Sequence, residues 1–269
     1  MRLPAVSRYA VRRKLVGALL LAVPVLLAGC GGDSTPSGAA PSGSATATGG
    51  TEERAQLAGL VALGRDSSLT AFYTLSAPGQ PDRTVGVTRA VDGSWRIDIP
   101  GGALGGDADV SVAQNSTGLY QCALPSATNY LDPACVRVGD PGAALASGFD
   151  PRIQHAFTDW QEVLTDRQAP ISVSTTPLLP GVRGSCFSVE STSASLNPAL
   201  DVGIYCYEAA GTLTGAKLGF GSLVLAGPPT AAPPTVTLPA PVVDREPLNV
   251  AAPAPATEPT TTPTSRSVG

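Results

Sequence analysis

The apolar side chains of residues 51–227 recur first at helical and then at strand spacing. Thr51 as N-cap, Glu52 and Glu53 at the positive end of a helix dipole, and Leu57, Leu60 and Val61 on one face predict a short opening helix that stops at Gly64. Beyond it the period changes to two. Ala71, Tyr73 and Leu75, then Val85 and Val87, then Trp95, Ile97 and Ile99 set between Arg96 and Asp98, predict three half-buried strands. Asp92-Gly93 between the second and third is a hairpin signal, because both residues tolerate the positive φ of a type I′ turn. Strands over 108–114, 119–122 and 130–138 continue the alternation, the first two joined at Asn115–Gly118.

The strand pattern breaks once. Asp150 before Pro151, followed by Ile153, Phe157, Trp160 and Leu164 at helical spacing, predicts an amphipathic helix over about 150–166, with Gln154, Asp159 and Gln161 on its solvent side. Strands then resume over 171–176, 186–190, 202–207, 212–218 and 220–226, and Leu178-Leu179-Pro180-Gly181 forms a loop. From Pro228 the repeated prolines predict an extended, disordered tail, in which Val236 and Leu238 are the residues able to dock along an edge. The fold class expected is α+β, mainly antiparallel β, with two helices.

The N-terminus carries an address. Arg8, Arg12, Arg13 and Lys14 precede an uncharged run from Leu15 to Gly29, too short at fifteen residues for a bilayer-spanning helix and interrupted by Pro24. It ends in Leu27-Ala28-Gly29-Cys30, which resembles the bacterial lipobox. That resemblance implies cleavage between Gly29 and Cys30 and a diacylglycerol thioether on Cys30, with acyl chains attaching the protein to the membrane. Residues 31–50 contain no aromatic or large aliphatic side chain and read as a tether, with a reach of about 25 Å for a flexible coil. The expected organisation is a signal peptide over 1–29, lipidated Cys30 and tether over 30–50, a folded domain over 51–227 and a tail over 228–269.

Composition narrows the function. The chain of 269 residues is 43% hydrophobic and 14% charged, which suits one folded domain with polar ends. Its net charge is −4; without the five basic residues of the leader, 12 basic residues face 21 acidic ones, a net of −9. Such a surface repels phosphate backbones and argues against a nucleic-acid partner. Arg outnumbers Lys, Met occurs only at position 1 and Ala is abundant, biases that resemble those of a GC-rich actinobacterium.

Apart from Cys30, four cysteines remain in a setting that favours disulfides. Three pairings are open to them. Cys122 with Cys135 and Cys186 with Cys206 is favoured, since each pair flanks one strand-loop-strand unit, and each loop closure contributes roughly 3 kcal/mol. No CxxC spacing supports a redox or zinc site, and no cofactor is expected. His155 is the single histidine. With Asp159 four residues later it supplies two members of a serine-hydrolase triad on paper, but no GxSxG elbow accompanies them, and no enzymatic activity is expected. Asp107 and Asp109 share a strand face and are read as solvent-facing, since the further ligands of a cation loop are missing.

The Cys30 anchor, the leading helix, the succession of antiparallel strands and the midway amphipathic helix together resemble the half-barrel lipoproteins of the LppX and LprG type. They are more distantly similar to LolA and to the MucB and RseB proteins. The phrases FYTLSAPGQPDRTVGVTRAVDGSWRIDIP and GLYQCALPSATNYLDPACVRV carry the likeness. It implies a curved sheet around helices with an apolar cavity for acyl chains, and a non-enzymatic role in binding or transferring a lipid or glycolipid at the extracytoplasmic face of the cell membrane. Ile153, Phe157, Trp160 and Leu164 are then the candidate ligand-binding residues, lining or lidding that cavity. The alternative role is a sensor or protein-interaction module with an envelope partner.

Overall fold

Two up-and-down meanders, side by side, make up most of the molecule. The computed structural model describes residues 49–126, 130–194 and 199–253. Cys30, the expected signal and the expected tether as far as residue 48 lie outside them, as does the tail beyond 253, while Gly49 and Gly50 of that tether open a helix. After helix α1 (Gly49–Arg65) the first meander comprises β1 (Leu69–Ser76), β2 (Arg83–Arg89), β3 (Trp95–Ala103), β4 (Ala108–Asn115), β5 (Gly118–Ala123) and β6 (Ala134–Gly139). Helix α2 (Asp159–Thr165) leads into the second: β7 (Ile171–Thr176), β8 (Ser185–Ser191), β9 (Gly203–Tyr207), β10 (Leu213–Leu218) and β11 (Gly221–Leu225), with a short β12 (Thr230–Ala231).

The strands form a single open, curved sheet in the order β6-β5-β4-β3-β2-β1-β11-β10-β9-β8-β7, with β12 paired to the start of β1. Every adjacent pair is antiparallel, and the β1–β11 ladder, with Tyr73 opposite Leu225, welds the two meanders together. Sequential neighbours pair because short connections make antiparallel hairpins the easiest contact to close.

One face of the sheet carries the core. Tyr73, Val85, Ile97, Val110, Phe187 and Leu223 are among its buried side chains, and α1 covers part of it with Leu57 and Val61, both fully buried. Close packing at the end of α1 depends on a missing side chain: a Cβ on Gly64 would lie 2.2 Å from Gly211 O. Near its start, Arg54 donates to Ile171 O at 2.7 Å and to Ala169 O at 2.6 Å, tying α1 to the entry of β7.

Both disulfides lie on the opposite face, and the favoured pairing is the one found. Cys122–Cys135 and Cys186–Cys206 each join residues directly opposite one another in the ladder. Around the second pack Leu179, Val182, Ile204 and Val224, so of the two leucines in the predicted loop only Leu178 stays exposed.

Three expectations are corrected. The Asp92-Gly93 turn is not type I′: Gly93 alone has positive φ, and Asp92 Oδ1 instead accepts hydrogen bonds from Ser94 N and Oγ. The helix over 150–166 is broken into a 3-10 turn, Ile153–Phe157, and α2, with a kink at Thr158 (φ −129°, ψ −113°). Asp150 does not cap a helix; its Oδ1 accepts Arg152 N in an Asx turn. Thr158 Oγ1 sits 3.0 Å from Gln154 O, the side-chain competition that disfavours a continuous helix. The break turns Gln154 and Gln161, expected in solvent, into the interior at 2% and 4% exposure.

The third correction concerns the tail, which over 228–253 is extended but fixed to the body. Val91 N and Asp92 N donate to Pro233 O and Pro234 O. Val236 is buried, and Leu238 packs on Tyr120 and the first disulfide. Cys135 N donates to Pro241 O and Val243 N to Cys135 O, so the tail lies as a parallel bridge along the outer edge of β6. Leu248 and Gln121 then exchange two hydrogen bonds, 2.6 and 2.9 Å. Prolines cannot supply amide donors, yet their carbonyls accept, and an edge strand has donors to spare.

Truncation after Gly227 is therefore expected to destabilise the protein by at least about 2 kcal/mol, from lost apolar burial and the stranded Gln121 amide. That corresponds to a fall in Tm of about 4–8 °C. Calorimetry of the full and truncated chains checks it; unchanged Tm contradicts the strap.

Candidate functional site

A cleft of about 500 Å³ opens where the cover over the inner face stops short. Its floor is a single row of cross-strand partners: Arg89 of β2 opposite Trp95 of β3, Trp95 opposite Gln114 of β4, and Gln114 opposite Leu119 of β5. Directly opposed residues share a face, so the row points four different chemistries into one space. The 3-10 turn and α2 contribute Gln154, His155, Phe157 and Gln161, and α1 contributes Arg65. The far wall is the segment 142–145, held in place because Gln114 Oε1 accepts from Gly142 N at 2.7 Å.

Arg89 fixes the helical cover of the inner face beside the cleft. Its Nη1 donates to Gly64 O at 2.6 Å, and its Nη2 donates to Phe157 O at 2.5 Å and to Gln161 Oε1 at 2.9 Å. One guanidinium thus joins the end of α1, the 3-10 turn and α2. All three acceptors are neutral, and no ion pair with Arg89 is found among the described residues. Burial lowers its affinity for the proton, the phenols of Tyr207 and Tyr73 oppose that, and Arg65 adds to it. Behind Arg89 a further void of about 30 Å³ is bounded by Tyr73, Val87 and Phe157.

His155 is clamped between two acids. Nε2 lies 2.8 Å from Asp150 Oδ2, Nδ1 lies 2.6 Å from Asp159 Oδ1, and the ring stacks on Trp160 at 5.3 Å between centroids. Burial opposes charging, but the hydrogen bonds and charges of Asp150 and Asp159 outweigh it and raise the imidazole to about 9. For the two carboxyls burial pushes upward, and His155 pulls them below the usual carboxylate range. At neutral pH the group is an imidazolium flanked by two carboxylates. Both ring nitrogens are occupied, which leaves none to take a proton from a nucleophile.

Gln154 is the cleft residue with an unmet need. It is 2% exposed, its Nε2 donates to Asp150 Oδ1 at 2.6 Å, and its Oε1 has no partner. A buried acceptor left bare costs about 1–3 kcal/mol.

The expected site residues divide. Ile153, Trp160 and Leu164 belong to the core, at 7%, 4% and 1% exposure, and none of them borders the cleft. Phe157 alone of the four borders it, while also packing 4.9 Å from Tyr73. The lining of the cleft mixes polar groups with aromatic and aliphatic ones, among them Trp95, Phe157, Leu119 and Leu145. Asp109 Oδ1 accepts from Gly101 N, which makes it a loop anchor instead of a solvent-facing group. Arg65, Arg89, Trp95 and Gln114 went unrecognised as site residues. A signal existed: Arg89 falls in phase with Val85 and Val87, and Gln114 with Val110 and Val112, so each sets a polar group on the apolar face of its strand.

No group of three or more metal-ligating side chains occurs among the described residues, and no helix there is long and apolar enough to cross a membrane. No family model and no curated protein matches the chain.

Three outcomes follow from the geometry. The His155 ring should titrate with an NMR midpoint near 9, and Asp159→Asn should lower it by about one unit; a wild-type midpoint near 6.5 contradicts the clamp. Its raised proton affinity contributes stability that is complete below about 6.5 and lost as the pH rises through about 9, whereas the lowered carboxyls contribute above about 3.8 and cease to as the pH falls below it. Arg89→Met, which leaves buried carbonyls unpaired, is expected to cost about 2–4 kcal/mol in urea unfolding; a loss under about 0.5 kcal/mol contradicts its role as the staple.

Proposed function

We propose that this protein is a lipid-anchored extracytoplasmic binding protein that holds a glycolipid by its polar head, without enzymatic activity. The observation that carries the reading is the cleft itself. Its volume suits a small-molecule site of a few hundred cubic ångströms, and it combines an aromatic face, Trp95, with convergent amide and guanidinium groups from Gln154, Arg65 and Arg89. Sugars offer an apolar ring face and many hydroxyls, the chemistry that such a lining complements. Acyl chains are not swallowed on this reading, since the space beneath α1 and α2 is filled with core side chains. The lipobox resemblance at Cys30 supports attachment through acyl chains, and the continuous antiparallel order of strands supports a half-barrel of the LolA type.

A second reading, a sensor or interaction module of the MucB and RseB type, draws support from Phe72 and Leu178, each 54% exposed. Phe72 lies out of phase with the buried Ala71, Tyr73 and Leu75, which puts it on the outer face of β1.

Purification of the acylated protein from its native membrane, followed by mass spectrometry of extracted lipids, separates the two. The binding reading predicts a stoichiometric glycolipid, reduced at least fivefold by Trp95→Ala. A preparation free of glycolipid contradicts it. Cys30→Ser is expected to move the protein from the membrane to the soluble fraction, and unchanged attachment would contradict the anchor.

A further inference from the structure

Charge is unevenly spread around the cleft. On one side Arg65 and Arg89 face a single carboxylate, Glu162, and its 3.3 Å contact with Arg65 is solvent-exposed, at 40% and 69% side-chain exposure. Exposed pairs of that kind exchange readily with an incoming anion. Arg89 is hydrogen-bonded only to neutral oxygens, so its charge is held in place without being balanced. On the other side Asp150 and Asp159 outnumber the one imidazolium between them. The lining thus carries an excess positive charge at the arginines, while His155 and Asp159 offset one another and Asp150 stands behind them. Gln154, beside His155 in sequence, adds a buried acceptor oxygen without a donor.

Resting on the glycolipid reading, we infer that the cleft selects an acidic sugar headgroup, its anionic oxygens seated on Arg65 and Arg89 and a neighbouring hydroxyl donating to Gln154 Oε1. A guanidinium presents paired N–H donors that match either a phosphate or a carboxylate. The shared chemistry is an anionic oxygen pair next to hydroxyls, whether from a sugar phosphate or a uronic acid. A neutral glycoside leaves Arg89 unbalanced, and a bare anion leaves Gln154 unsatisfied. The ligand class that answers both carries both groups.

The chain contains two tryptophans, and only Trp95 borders the cleft, which makes its indole N–H a local reporter. The full acylated chain in detergent is titrated by two-dimensional NMR with glucose 6-phosphate, glucuronic acid, methyl glucoside and inorganic phosphate, the indole signal being assigned with Trp95→Phe. Saturable shifts are expected from both acidic sugars, at least tenfold tighter than from methyl glucoside, with the tighter of the two naming phosphate or carboxylate as the anion. Arg65→Gln, a substitution at a partly exposed site that leaves the Arg89 staple intact, should weaken the acidic sugars about tenfold and methyl glucoside far less. Gln154→Met should erase the advantage of glucose 6-phosphate over inorganic phosphate. If methyl glucoside binds as tightly as the acidic sugars and Arg65→Gln changes nothing, acid selection is wrong while the glycolipid reading stands. Silence of the Trp95 signal towards all four probes overturns both.

Discussion

A single guanidinium holds the cover of this sheet in place. One face of the sheet is apolar across most of its breadth, and it has no second sheet to pack against. That face has to be hidden by helical pieces, α1 and the broken segment 153–165, and the pieces of the latter are too short to be stable alone. Arg89 joins the end of α1 to both halves of the broken segment, and Arg54 does the same near the start of α1 by reaching the chain just before β7. Both arginines donate to backbone carbonyls at the ends of helices and turns: Arg89 to Gly64 O and Phe157 O, Arg54 to Asp166 O, Ala169 O and Ile171 O. The charge is retained at the cost of desolvation, offset by three or so short hydrogen bonds at each site.

The cleft is a consequence of that arrangement. Because the cover ends at Arg65, Phe157 and Gln161, the row Arg89–Trp95–Gln114–Leu119 on the floor is left without a lid. The kink at Thr158 matters twice. It redirects Gln154 and Gln161 inward, and it brings Asp150 and Asp159 to opposite sides of His155, an arrangement that an unbroken helix, with Asp150 five residues back, would not give. Polar residues so placed are hydrogen-bonded to one another at nearly every atom, and Gln154 Oε1 is the exception.

Most strands were legible in the sequence to within one or two residues; β6 begins at Ala134 instead of 130, β3 runs on to Ala103 beyond the Ile99 that alternation marked, and β12 was not foreseen. Period-two alternation with turn residues between is a strong local signal, and cross-strand cysteines then fell naturally into their pairs. The helix over 150–166 was half legible. Its apolar spacing marked Ile153, Phe157, Trp160 and Leu164 as buried, but the Asx turn at Asp150 and the back-bonding of Thr158 compete with helix in a way that spacing alone does not weigh. The tail misled for a different reason: proline-rich composition predicts extension, and extension was correct, but the acceptors that prolines keep are enough to pin a strand along an open edge. The cleft required register. Arg89 and Gln114 announce themselves as polar groups on apolar faces, yet only the ladder shows that they stand in one row with Trp95 between them.

A sugar-bearing head seated in the cleft on the inner face would be visible in a crystal structure of the full-length protein purified from its native host. Electron density for a glycan is expected between Trp95 and Gln154, in contact with Arg89 and with any acyl chains running outward. Density for acyl chains beneath α1 against Leu57 and Val61, or a lipid bound on the disulfide-bearing face with nothing in the cleft, would contradict it.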